Sequence, residues 1–119
     1  MAKYVDGFVL PIPKRKLKEY RKMASLGAKV WRDHGALQYV ESVGEDLDIK
    51  FGLPFPKGIR SKKGETIIFA WIVYKSRAHR DAVNEKVMKD PRMKMDPKKG
   101  MPFDPKRMLY GVFECLVEA

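Results

Sequence analysis

Three carboxylates stand in strand-like stretches that are otherwise rich in apolar residues: Asp6 in YVDGFVL, Glu41 in QYVESV and Glu114 in LYGVFE. If Val5, Gly7 and Val9 face the helices, alternation turns Asp6 to the opposite face of the first strand. By the same rule Glu41 shares a face with Tyr39, and Glu114 one with Tyr110. A carboxylate on an apolar wall is costly unless it is paired or protonated, and one held protonated to higher pH suits proton transfer near neutrality. The competing role is ion pairing with Lys or Arg at the rim of a subunit interface, which perturbs titration without chemistry.

His79 falls in the first turn of the second helix, three and four residues before Ala82 and Val83, and is expected on the sheet-facing stripe. A neutral imidazole there would serve as base or ligand; the plainer role is a core histidine hydrogen-bonded to backbone. Arg80 beside it would bind an anion at the helix N-terminus or lie on the surface as a cation. His34 complements the dipole at the end of the first helix. Asp6, Glu41, Trp71, His79, Arg80, Tyr110 and Glu114 are the candidate ligand-binding residues. Two histidines without spaced Cys or His partners make no metal signature, and none of GxGxxG, GxxxxGK[ST] or GxSxG occurs. No cofactor is expected.

The rival site is basic. Lys and Arg number 25 against 15 Asp and Glu, a net charge of +10 with an isoelectric point near 9.8. A polyanion would be met by Lys14, Arg15, Lys18, Arg21 and Lys22 along the first helix. No RNP motif or recognition helix accompanies them, so nucleic acid ranks below small molecules as a partner. Asn84 and Gln38 are the sole side-chain amides, and few amides beside many lysines is also a thermophile pattern.

The elements that must position these groups centre on residues 66–90. From Ile67 to Tyr74 there is no polar residue, which predicts a strand covered on both faces in the middle of a sheet. Ser76 is the expected N-cap of a helix over 77–89, stopped by Pro91. A first strand is predicted over 4–10, ended by Pro11-Ile12-Pro13. It is followed by a helix to about His34 with Leu17, Tyr20, Ala24, Gly27, Ala28 and Trp31 inward and Gly35 at C′. Strands follow over 36–43 and 107–118. The stretches 44–65 and 91–106 read as long loops, the first anchored by Phe51, Leu53 and Phe55.

The order βαββαβ is the α+β, ferredoxin-like plan, with both helices on one face of an antiparallel sheet. Residues 1–119 are expected to form one domain. The second face, taken to carry Tyr4, Phe8, Tyr39 and Tyr110, is large enough to mark an interface, solved most simply by a homodimer with sheets face to face. Met1-Ala2-Lys3 passes directly into strand-like sequence, so no leader and no membrane segment are expected. With Cys115 as the only cysteine, the predicted location is cytoplasmic.

YVDGFVLPIPK, VWRDHGALQYVE, FAWIVYKSRAHRDAVNEKVMKD and MPFDPKRMLYGVF together resemble the uncharacterised bacterial YbaA-like family, a domain of unknown function. The resemblance implies a dimeric α/β barrel, a superfamily that includes cofactor-free monooxygenases, haem-dependent chlorite-decomposing enzymes, and isomerases or lyases of small molecules. It carries over no catalytic residue. The expected function is therefore small-molecule binding or cofactor-independent catalysis (monooxygenase-like or isomerase/lyase-like), with a polyanion-binding module or a structural dimer as alternatives.

Overall fold

The computed structural model describes residues 2–94 and 100–119, so 95–99 of the second irregular stretch lie outside it. Strand β1 (Tyr4–Pro13) passes through a 3-10 turn (Lys14–Lys16) into α1 (Leu17–Asp33). Strand β2 (Gln38–Val43), the single-turn α2 (Phe55–Gly58), β3 (Glu65–Tyr74), α3 (Arg77–Lys89) and β4 (Leu109–Glu114) follow. The sheet has the order β2-β3-β1-β4 with every pair antiparallel. This is the ferredoxin-like α+β architecture, and the polar-free run sits in its centre as expected.

β1 is longer than its prolines suggested. It stays paired with β3 from Tyr4 opposite Tyr74 to Pro13 opposite Glu65, whereas its pairing with β4 stops at Val9 opposite Leu109. Lys14 N–H donates to the Gly64 carbonyl at 2.9 Å, so the odd-numbered positions 11 and 13 turn their missing N–H away from β3, towards a side where β4 has ended. A proline there removes no ladder bond.

Helix α1 buries Tyr20, Ala24, Gly27 and Val30 against the sheet, and Gly35 just beyond it takes φ +110°. Ser76 caps α3 by accepting from His79 N–H at 3.1 Å. The core forms beneath these helices in two groups, Leu10, Ile12, Tyr20, Ala24, Ile68 and Ala70 under α1, and Val30, Ala36, Ile72, Tyr74, Val83 and Val87 between α1 and α3. Each such large apolar side chain removed from water contributes about 1.5–3 kcal/mol.

The strand faces are the reverse of those expected. Asp6, Leu10 and Ile12 are buried under the helices, and the register carries Phe8, Tyr110, Val112 and Glu114 to the same side. Tyr39, Glu41 and Val43 join them through pairing with Ile72, Ala70 and Ile68. The reason is volume and pairing: the larger side chains fill the space under the helices, and Asp6 finds a cation there. Val5, Gly7 and Val9 therefore belong to the open face, with Val40, Phe69, Trp71, Val73, Leu109 and Phe113. On that face the Phe113 ring lies over the paired glycines, where a Cβ at Gly7 or Gly111 would come within 3.2 Å of it.

The loop after β2 also departs from expectation. Phe55, in α2, packs on Phe69 with ring centroids 6.1 Å apart, and α2 covers one end of the open face. Phe51 and Leu53, read as anchors, are instead 92% and 74% exposed. Arg107 ties the end of this loop down through a bidentate pair to Glu65, at 2.7 and 2.9 Å, and a bond to the Arg60 carbonyl.

Candidate functional site

Of the candidate ligand-binding residues, the structure brings three into one cluster. Asp6, 2% exposed, accepts from Arg80 Nε at 2.6 Å and from the Tyr74 hydroxyl at 2.9 Å. Arg80 spends its remaining reach on the Tyr110 hydroxyl (2.7 Å) and Asp81 (2.9 Å). Asn84, one turn further along α3, donates to Tyr74 Oη and to the Arg80 carbonyl. Burial, reinforced by the Asp6 charge, pushes the Tyr74 phenol up. The first turn of α3 thus seals a buried carboxylate at the β1–β3 pair, and the side chains of Asp6 and Arg80 are turned on one another and away from solvent. It reads as a built-in ion pair joining α3 to three strands.

The remaining acids and His79 lie elsewhere. Glu114 accepts from Tyr4 across β1 and β4 at 2.9 Å. Trp71 is on the opposite face of the sheet, donating to Gln38 at 3.1 Å. His79 is half-buried and its Nδ1 accepts from Lys75 N–H at 2.9 Å, the backbone-bonded role. His34 Nε2 meets Asp90 at 2.7 Å rather than its neighbour Asp33. Arg92 bridges both acids, at 2.7 Å to Asp90 and 2.8 Å to Asp33, closing the C-terminal ends of α1 and α3 together. The Arg92 guanidinium holds Asp90 well below the usual carboxylate range.

Glu41 forms a second centre. Its two carboxylate oxygens accept one phenol each: Tyr20 on Oε1 at 2.7 Å and Tyr39 on Oε2 at 2.8 Å. Burial first and then Glu41 raise both phenols above their ordinary range. Tyr20 comes from α1 and Tyr39 from β2, so the triad exists only where that helix crosses the edge of the sheet. Gly27 makes room for it, since a Cβ at this position would stand 3.1 Å from Tyr39 Oη.

The triad lies in a cleft of about 600 Å³ between α1 and β2. Its walls are mainly apolar, from Leu17, Ala24, Ala28, Val43 and Ile68, and Lys18 and Arg21 from the basic set stand exposed among its lining. Lys14 and Arg15 lie before α1 and Lys22 is exposed upon it. Glu41 stands out in the sequence as a carboxylate in an apolar strand, whereas Tyr20 falls on the inward stripe of its helix and reads as core. The available signal was a phenol at a core position, which needs a polar partner when buried. Among the described residues no group of three or more His, Cys, Asp or Glu side chains is placed to hold a metal ion, and no helix is long and apolar enough to cross a membrane.

Residues 3–105 match the family described as a protein of unknown function, DUF1428. The chain is 42% identical over 116 residues to the uncharacterized protein YbaA of Escherichia coli K12, covering 98% of each chain, and equally similar to YbaA of Shigella flexneri. Among solved structures, a dimeric ferredoxin-like protein from an uncultured marine organism aligns over the full length of both chains with TM-score 0.60 at 14% identity. That likeness concerns the fold.

Proposed function

This chain belongs to the DUF1428 family, and from that premise we propose that it is a homodimeric small-molecule-binding protein whose ligand site is the cleft between α1 and β2. One observation carries the reading: an apolar cleft of about 600 Å³ converging on a carboxylate held by two phenols. Ligand sites of soluble proteins have volumes of about 300–1,000 Å³, mostly apolar walls and a few placed polar groups. Binding ranks ahead of cofactor-independent catalysis because both phenol protons are committed to Glu41, which leaves no free acid beside the carboxylate. The Asp6–Arg80 cluster, charge-paired and buried under α3, is assigned a structural role.

The homodimer is supported by a separate observation. The open sheet face leaves Leu109 58% and Phe113 60% exposed, continuous with Phe69 and Trp71, whose rings are 5.4 Å apart. An uncovered apolar face of this kind is covered in solution by a partner, and the marine protein of the same fold is described as dimeric. The exposed Phe51 and Leu53 are then available to the second copy. The polyanion alternative keeps Lys14, Arg15, Lys18, Arg21 and Lys22, but two of these five line the cleft and would contact its ligand.

Native mass spectrometry of protein purified from a lysate without denaturation tests both parts. A dimer that retains a discrete small mass, lost on Glu41→Ala, supports the reading. A monomer removes the dimer, and a retained mass unaffected by that substitution moves the site elsewhere.

A further inference from the structure

Resting on the cleft as the ligand site, the hydrogen-bond inventory of its inner end sets the chemistry of what enters. A carboxylate has about four acceptor positions, and a phenol has one proton to donate. Tyr20 and Tyr39 each direct that proton to a different oxygen of Glu41. What remains facing the cleft is the unused lone pairs of Glu41 and of the two phenol oxygens. The polar end of the cleft therefore presents acceptors with no free proton among the three groups. Of the two serines in the lining, Ser25 donates its hydroxyl to the Arg21 carbonyl at 2.8 Å, and Ser42 sits opposite Phe69, so alternation along β2 turns its side chain to the face away from Glu41.

The other polar groups have the opposite character. Lys18 and Arg21 are exposed in the lining, and both are donors and cations. The rest of the lining is mainly apolar, with Leu17, Ala24, Ala28, Val43 and Ile68. An isolated ammonium is repelled by the cations as it approaches, and an isolated carboxylate directed at the Glu41 side chain meets its charge and the lone pairs of the two phenols. We infer that the cleft takes a small molecule with an apolar body, a hydrogen-bond donor (hydroxyl or amine) at the end that meets Glu41, and an anionic group at the end that meets Lys18 and Arg21.

Three six-carbon probes separate this from simple hydrophobic burial: hexanoate, 6-hydroxyhexanoate and 6-aminohexanoate. They share the anion and the chain and differ only at the far end. Burial of apolar surface alone ranks hexanoate first, because the added polar group must be desolvated. The acceptor cluster reverses the order, since the methyl end of hexanoate strips water from Glu41 without replacing its hydrogen bonds. Titrating each into the full-length protein and following the backbone amides of α1 and β2 by NMR should give dissociation constants for the hydroxy or amino probe about 10-fold below that of hexanoate, the ratio produced by one such bond. Their relative affinities distinguish a neutral hydroxyl from an ammonium.

Glu41→Gln puts an amide donor into the triad and should abolish the preference. Tyr39→Phe, which keeps the carboxylate, should retain it, and supplies the comparison if the Gln variant does not fold. Hexanoate binding as tightly as the other two, or more tightly, overturns the donor assignment while leaving the cleft as a ligand site. No shift in cleft amides with any probe overturns the cleft reading and this inference with it.

Discussion

Replacing Arg80 by Met isolates the energetic role of the ion pair under α3. Asp6 is 2% exposed and holds two side-chain partners, Arg80 Nε at 2.6 Å and the Tyr74 hydroxyl at 2.9 Å. The substitution keeps the apolar stem but strands a buried carboxylate with one neutral donor. Breaking a buried pair from one side costs about 3–5 kcal/mol, and Tyr74 keeps the value near the lower bound, about 3 kcal/mol. For 119 residues at about 2.1 cal/mol/K each, the unfolding entropy is about 250 cal/mol/K, so the melting temperature should fall by about 12 °C. Asp6→Asn alone should cost less, because the amide oxygen still accepts from Arg80 or Tyr74 and no charge is stranded. The double variant decides the matter. With Asn at position 6 there is no carboxylate to isolate, so Asp6→Asn/Arg80→Met should be more stable than Arg80→Met alone. Urea unfolding followed by tryptophan fluorescence, at a fixed protomer concentration because dimerisation contributes to apparent stability, gives the complete cycle. Additive losses, or a cost for Arg80→Met below about 1 kcal/mol, the range of exposed pairs, would refute the argument that this pair is a buried structural unit.

Three further outcomes follow from other parts of the molecule. Gly27→Ala should gain about 1 kcal/mol of helix propensity while its Cβ presses on Tyr39 Oη, so stability should change little and 6-hydroxyhexanoate binding should weaken; NMR titration beside a thermal melt reads both. Leu109→Asp/Phe113→Asp on the open face should halve the mass seen by light scattering and leave far-UV circular dichroism unchanged, whereas an unaltered mass would locate the dimer contact elsewhere. Asp90 and Asp33, lowered chiefly by hydrogen bonds from Arg92, and Glu65, lowered chiefly by Arg107, contribute stability that is fully present above the unfolded carboxylate value near 4. That contribution is lost as pH falls through their depressed folded values. Urea midpoints between pH 7 and pH 2 should therefore decline on the acid side, and Arg92→Ala should make that decline shallower.

Local rules in the chain determined the element order, the central position of β3, the Ser76 cap and the turn at Gly35. Each depends on residues within a few positions of one another: an unbroken apolar run, a hydroxyl three residues before the amide it accepts from, a glycine where φ is positive. β1 runs past the prolines that its sequence marks as an end, because the cost of a proline depends on which neighbouring strand is present, and β4 ends at that point. Hydrophobicity alone marks Phe51 and Leu53 as anchors but specifies no partner, and both are exposed.

Tertiary structure decided which face each strand shows. Along β1 both alternating sets contain apolar residues, so period-two patterning is satisfied either way, and one step of parity moves Asp6, Tyr39, Glu41, Tyr110 and Glu114 together from the open face to the helices. Two interactions distant in sequence break the tie. Arg80 reaches Asp6 across 74 positions, and Tyr20 on α1 meets Glu41 on β2 across 21. Glu41 is legible as a polar residue in an apolar setting, but the two phenols that donate to it are not, because their meeting depends on how a helix crosses a sheet edge. The chain's pattern specified that such groups must be satisfied; only packing chose their partners, since hydrogen bonds and ion pairs are short-ranged and a linear pattern carries no distances.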